Sequence, residues 1–263
     1  MHAPGEPPVE LIDSHAHLDD AKLAADEEGI LARAREAGVC RVVNAGADLA
    51  SSRASVELAR RRPMVAAAVG VHPHDAASVT ETVWAEVERL AGGAGVIAVG
   101  ETGLDFYRDL SPREVQRRVF ARHLALAEAL DLPVIIHCRE AYGECLDVVR
   151  AERAPPVRGV LHCFQGDRAA ARGALDLGLC LGIGGVLTFP REDALRRVVA
   201  GLPLERLLVE TDAPYLTPRP KRGRNEPAYV RFVARRLADV AGLSFERVAA
   251  ATRATAGQLF GLL

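Results

Sequence analysis

The chain has 263 residues, 49% of them apolar and 26% charged, the make-up of an ordinary globular protein with enough material for a sizeable core. Its formal net charge is −2, so no global basic field draws it to nucleic acid or to a membrane surface, and an anionic substrate has to be held by local charge or by metal. The five cysteines (Cys40, Cys138, Cys145, Cys163 and Cys180) are odd in number and form no C-x-x-C pair, which points to reduced thiols in a cytoplasmic protein rather than to a disulfide framework. The opening MHAPGEPPVE lacks the apolar run of a signal peptide, and no stretch has transmembrane length. Residues 1–8 are expected to form a loosely ordered extension, with one domain over 9–263.

In chain order, short apolar runs alternate with longer amphipathic ones. Strands are predicted at 9–13, 40–46, 65–71, 95–101, 133–137, 159–162, 180–185 and 206–212; each is rich in Val, Ile, Leu or Ala and mostly non-alternating, as strands buried on both faces are. Helices are predicted between them at 22–37, 49–61, 78–91, 112–131, 140–153, 167–177, 191–200 and 226–240, with a further one over 244–262. Gly38 stands where a helix C-cap glycine belongs, and Ser244 where an N-cap does. Ser111-Pro112 followed by Glu114 reads as a capping box. Eight strand–helix alternations predict a single (β/α)8 barrel with an extra C-terminal helix. An open doubly wound sheet is the alternative, but it calls for a glycine-rich loop after the first strand, where this chain has DSHAHLDD.

Six of the eight histidines, His15, His17, His72, His74, His137 and His162, fall at or just beyond predicted strand ends; His2 and His123 do not. Two further strands end in acids, Glu101 and Asp212. In a parallel barrel these ends converge on one mouth. His15 and His17, two apart on extended chain, point the same way and can chelate one ion. Glu101, directly after IAVG, is expensive to bury unpaired, and a metal satisfies it. His137, His162 and Asp212 close their strands at equivalent positions. Imidazole with carboxylate suits divalent transition metals. Cys138 and Cys163 each follow a histidine and are expected to face away. Asp105 is a weaker candidate, expected to support the site, and Glu210 is expected to point the other way or to support it. The segment RPKRGRN sets Arg222 and Arg224 beside the mouth as candidate substrate-phosphate contacts.

The segments DSHAHLD, GVHPH, GETGLDFYRD, LPVIIHCREA, HCFQG and ETDAPYLTP, in this order from residue 13 to about 218, resemble the TatD family of metal-dependent deoxyribonucleases, and with the RG and NEP that follow the resemblance covers nearly the whole chain. It implies a binuclear centre of two divalent ions (Zn, Mn, Mg, Fe or Ni). His15, His17 and Asp212 would hold one ion, His137 and His162 the other, and Glu101 would bridge them. It also implies hydrolysis of DNA phosphodiester bonds from single-stranded 3′ ends by water that the ions activate. In that reading Glu101, Asp212 and His72 are catalytic, Asp212 taking a proton and His72 donating to the scissile phosphate. No membrane and no obligatory protein partner are expected. The chain departs from the family's usual R-G-x-x-N-x-P, being one residue shorter after Arg222. Two other readings stand beside this one: a barrel metal hydrolase of another ester or an amide, disfavoured because position 137 is His and not a carboxylatable Lys, and a non-catalytic metal-binding barrel, which would have shed ligands.

Overall fold

The structure, a computed structural model, describes residues 9–262, so the expectation for residues 1–8 lies outside it. Among the described residues, eight strands form one parallel sheet in the order of the chain: β1 (Leu11–Ala16), β2 (Val39–Ala45), β3 (Val65–Val69), β4 (Val96–Asp105), β5 (Val134–Arg139), β6 (Gly159–Leu161), β7 (Cys180–Ile183) and β8 (Leu207–Val209). The sheet curls until its edges meet. Ala16 bridges Ala213, the His17 amide donates to the Ala213 carbonyl (2.7 Å), and the Asp212 amide donates to the His15 carbonyl (2.9 Å). The result is a nearly closed (β/α)8 barrel.

The helices are α1 (Ala21–Ala24), α2 (Glu27–Glu36), α3 (Leu49–Arg61), α4 (Glu81–Ala91), α5 (Arg113–Ala129), α6 (Tyr142–Glu152), α7 (Arg168–Asp176), α8 (Asp193–Val199), α9 (Val230–Ala241) and α10 (Phe245–Phe260). Local chemistry sets their starts. The Asp48 and Thr80 side chains accept the backbone amides of Ser51 and Val83, Asp167 that of Ala170, and Ser244 that of Arg247. Gly38 follows α2 in the left-handed region (φ 89°).

Three expectations need correction. The helix predicted over 22–37 breaks into α1 and α2 around Asp26, and the helix predicted over 78–91 starts only at Glu81, after a 3-10 turn over Pro73–Ser78. The capping box at Ser111–Glu114 does not form: α5 starts after Pro112 with no side-chain cap. The buried Ser111 hydroxyl instead donates to the His74 carbonyl (2.7 Å) and accepts the Ala77 amide (3.0 Å), so it ties the loop after β3 to the loop after β4.

The barrel interior is a small apolar core of its own. One residue from each strand (Ile12, Val43, Ala68, Ala98, Ile135, Val160, Cys180 and Leu208) packs with Ala256, Leu259 and Phe260 of α10. Because α10 also reaches back to residues just before β1 and β8, through Arg253 to Glu10 and Thr255 to the Glu205 carbonyl, it covers the N-terminal end of the barrel. The opposite end is left to the polar residues.

Candidate metal centre

At the C-terminal mouth β1, β4, β5 and β6 run out into a cluster centred on Glu101, which is almost completely buried. The Glu101 oxygens divide between two groups of imidazoles. Oε2 lies 3.2 Å from His15 Nε2 and 3.5 Å from His17 Nε2. Oε1 lies 2.8 Å from His162 Nε2, 2.9 Å from His137 Nδ1 and 3.5 Å from His72 Nε2. Asp212 Oδ1 joins the first group at 3.4 Å from His17 Nε2 and 3.8 Å from His15 Nε2. The structure thus brings together all seven of His15, His17, His72, Glu101, His137, His162 and Asp212, and their donor atoms fall into overlapping triads that share Glu101 or His15.

The backbone makes this convergence possible. β4 does not stop at Glu101 but continues to Asp105, which puts Glu101, Gly103 and Asp105 on one face. Gly103 has φ 141°, and any side chain there would run into the His137 carbonyl; only glycine lets β4 approach β5 this closely. Asp212 sits in the left-handed region (φ 55°), a conformation disfavoured for residues with a side chain. The Asn225 amide helps hold it there by donating to the carbonyls of Thr211 (2.8 Å) and Tyr215 (2.6 Å) on either side. Across the seam, Asp13 accepts the Thr211 amide (2.8 Å) and hydroxyl (2.6 Å), fastening β1 to the segment that carries Asp212. Burial pushes the Asp13 carboxyl up to about 8, against the pull of those two hydrogen bonds.

The outer partners of the imidazoles decide which nitrogen faces the centre. His17 Nδ1 lies 3.0 Å from the Ala45 carbonyl, which fixes a proton on Nδ1 and leaves the Nε2 lone pair facing inward. His137 is turned the other way: Nε2 meets Asp105 Oδ2 at 3.0 Å, and Nδ1 faces the centre. His162 Nδ1 lies 3.4 Å from Glu210 Oε1, leaving Nε2 inward. Asp105 therefore orients His137, whereas Glu210 Oε1 accepts the Cys163 amide and lies alongside His162. Asp105 Oδ2 also meets His74 Nε2 at 3.0 Å. His72 is the exception. Its Nδ1 accepts the His74 amide (3.1 Å), so the proton of the neutral ring is on Nε2 and points into the centre. Burial, with the neighbouring His137, holds that ring well below the usual imidazole range and hence neutral. His72 offers the centre a donor where the others offer lone pairs.

Charge tests whether this set fits metal. Nitrogens of His15 and His17, and of His137 and His162, face each other at 3.2 Å, closer than two inward lone pairs are comfortable without a cation between them. Burial alone would raise Glu101, yet the surrounding imidazoles, His162 foremost, hold it well below the usual carboxylate range. Burial disfavours charge on His17, but the hydrogen bond to Asp212 and the charges of Glu101 and Asp212 carry it up to about 9; the carboxylates beside His137 and His162 raise both against the same penalty. His15 goes the other way, pushed down by burial and by His162. Protons are drawn to the very points where lone pairs converge, so the cluster calls for positive charge at its centre. The surrounding cavity, about 620 Å³, makes the same demand: seven carboxylates (Asp19, Asp20, Asp48, Asp75, Glu101, Asp105 and Asp212) line it against the guanidinium groups of Arg108 and Arg139. Imidazole and carboxylate donors in an anionic cavity fit divalent cations.

Arg222 and Arg224 are not brought to this cavity. Arg224 donates to the Lys22 carbonyl (2.8 Å) and lies 3.6 Å from Asp26, while Arg222 lines a separate surface hollow with Pro190, Arg219 and Pro220. The segment they belong to is used structurally, through Asn225 and through Glu226, which pairs with Arg33 at 2.7 Å. The cations at the mouth are Arg108 and Arg139, just past β4 and at the end of β5; both sit inside motifs already singled out, FYRD and HCRE. Cys138 and Cys163 belong to none of the donor triads, but both line the cavity; β6 ends at Leu161, and Cys163 turns left-handed (φ 46°) instead of continuing the alternation.

The barrel and its donor set define a class: hydrolases that work with metal at the C-terminal mouth of a (β/α)8 barrel. Residues 12–261 match the family described as TatD related DNase, and the chain belongs to that family. Its relatives include YabD of Bacillus subtilis, an uncharacterised metal-dependent hydrolase, 39% identical over 95% of this chain and 98% of its own length. TatD of Pantoea ananatis, a 3′-5′ ssDNA/RNA exonuclease, is 37% identical over 96% of this chain and all of its own. Among solved structures, the TatD homologue YJJV of Escherichia coli superposes with a TM-score of 0.92 at 31% identity, covering 98% of this chain and 100% of that one. No helix among the described residues is long and apolar enough to cross a membrane.

Proposed function

We propose that the protein is a 3′-5′ exonuclease on single-stranded DNA, working with two divalent ions. The observation that carries the reading is the partition of Glu101: one oxygen faces His15, His17 and Asp212, the other faces His137 and His162, with the protonated Nε2 of His72 beside it. His15, His17 and Asp212 would hold one ion, His137 and His162 the other, and Glu101 would touch both. Bound there, such ions make water nucleophilic near neutral pH and neutralise the non-bridging oxygens of a phosphodiester.

The chain's own groups do the rest. His72 hydrogen-bonds through its Nε2–H to a non-bridging oxygen, where charge develops as the water oxygen bonds to phosphorus; the bond to the 3′ oxygen breaks, and that oxygen leaves with a proton taken from solvent. Asp212, held as an anion because its bond to His17 and the charges of the neighbouring imidazoles together outweigh the cost of burial, accepts the proton the water loses. Arg108 and Arg139 hold flanking phosphates above the anionic wall of the cavity. The activity named for the Pantoea relative supports the 3′-5′ direction. Five free cysteines suit a reducing, cytoplasmic setting.

The test is digestion of single-stranded oligonucleotides blocked at the 3′ or the 5′ end, with a panel of divalent ions and with chelator. Shortening from free 3′ ends only, lost with chelator, is expected. No cleavage with any divalent ion, or cleavage that ignores a 3′ block, contradicts the reading.

A further inference from the structure

Tyr107, Leu110 and Tyr215 are the exposed large hydrophobic side chains among the described residues, and all three lie on the loops after β4 and β8, at the mouth. Elsewhere the fold puts its large apolar groups away. Concentrating them beside a polar, anionic cavity makes sense only if something apolar is to be covered there.

The two tyrosines are attached to opposite halves of the donor set. Tyr215 comes three residues after Asp212, and its ring centroid is 6.2 Å from that of His17. The Tyr215 hydroxyl donates to Asp20 (2.6 Å), and Lys22 Nζ lies 4.7 Å from the ring centroid, so the ring stands fixed with 44% of the residue exposed. Tyr107 comes two residues after Asp105, which orients His137. The Tyr107 amide donates to Asp105 Oδ1 (3.0 Å), and the Arg139 guanidinium lies 3.8 Å from the ring centroid, with 53% of the residue exposed. Each ring is thus a held aromatic surface with a cation beside it, one on the His17 side of the centre and one on the His137 side.

We infer that Tyr107 and Tyr215 are the stacking platforms for the two bases that flank the scissile phosphodiester. A single strand presents a base, a phosphate and a base in succession; the mouth presents a ring, the donor cluster and a ring. Stacking is indifferent to base identity, because every base has a π-face, and the cation beside the ring that takes the penultimate base, Lys22 or Arg139, is placed to meet the next phosphate on its 5′ side. The proposal rests on the reading of the protein as a single-strand nuclease and adds to it the elements that recognise bases.

The experiment uses the metal-loaded full-length enzyme and single-stranded oligonucleotides carrying one abasic residue, at the 3′-terminal or at the penultimate position. For the wild type, each abasic residue is expected to lower kcat/KM about 10-fold, mainly through KM. In Tyr215→Ala one of the two abasic penalties disappears, and in Tyr107→Ala the other does. Tyr107→Phe and Tyr215→Phe keep both penalties, since stacking needs the ring and not the hydroxyl. Alanine variants with the wild-type pattern of penalties overturn the inference while leaving the nuclease reading intact. So does the absence of any abasic penalty in the wild type. A wild type that cleaves bis(p-nitrophenyl) phosphate but no oligonucleotide overturns the nuclease reading, and the inference with it.

Discussion

At the N-terminal end of the barrel interior, eight strands each contribute one apolar side chain, and Leu259 and Phe260 of α10 lie against them. At the C-terminal end the same sheet delivers Glu101, five histidines within reach of it and Asp212, all largely buried and polar. One end gains stability by excluding water from apolar groups; the other holds groups whose burial opposes their charge. A fold can keep the second arrangement only by drawing on the first, and in a parallel barrel the two are separated by little more than the length of a strand. Stability and chemistry should therefore respond to different substitutions.

The largest effect is expected at the mouth. Glu101→Gln keeps the size of the side chain and removes the charge both imidazole groups face. Hydrolysis should fall by about 10³-fold or more while the chelated, metal-free protein unfolds within a few degrees of the chelated wild type. Near-normal turnover, or a collapse in melting temperature, would erase the distinction between the two ends. Phe260→Ala is the matching change at the other end. Truncating this buried ring should cost about 3–4 kcal/mol of stability, read from urea unfolding, with kcat unchanged at temperatures where the variant is folded.

Metal removal sharpens the contrast. If the ions bind only the folded protein, saturation at about 100 times Kd adds about 2.7 kcal/mol per ion, about 5.4 kcal/mol for two, on the order of 10–20 °C in Tm. The same shift is expected in Phe260→Ala, because the two ends share no partners and distant effects add. A chelator shift that vanishes in Phe260→Ala would mean that the ends are coupled.

The smallest effect concerns His123, an imidazole that belongs by environment to the apolar part of the molecule. It is fully buried on α5 against Trp84; its Nδ1 lies 2.7 Å from the Val119 carbonyl, and its Nε2 accepts the Val71 amide (3.1 Å), steadying the residue before His72. Burial lowers it from 6.5 to about 4. The unfolded chain therefore binds a proton that the folded one refuses between these values. The stabilising preference for the neutral ring is complete above pH 6.5 and is lost as pH falls toward 4, by on the order of 3 kcal/mol. His123→Gln, which keeps an acceptor and cannot charge, should flatten that part of the acid limb in urea titrations at pH 6.5, 5 and 4. An acid limb as steep as the wild type's contradicts the assignment.

The barrel was legible in the sequence because short runs such as PVIIH and GVLH are too apolar to leave exposed and too regularly spaced to pair in any simpler way. The donor set was legible for the same reason: a histidine or acid that closes a buried strand has few places to point. Two kinds of feature were not. The extension of β4 to Asp105 was hidden because Gly103 breaks the apolar run, although E-x-G-x-D keeps the strand alternation. The cations of the mouth were misplaced because loop positions depend on tertiary contacts. Arg224 looks free in RPKRGRN but is held by the Lys22 carbonyl and Asp26, whereas Arg139, one position beyond Cys138, reaches the cavity. The tautomer of His72 likewise depends on the His74 amide, which nothing in GVHPH reveals without a fold.

On the proposed reading Glu101 stands between two cation sites. The direct measurement is metal content after saturation with Mn²⁺ or Zn²⁺ and exhaustive dialysis, by elemental analysis of wild type and Glu101→Gln side by side. Two ions per wild-type chain and at most one in the variant are expected. A wild type that retains none, or a variant that retains two, contradicts the account.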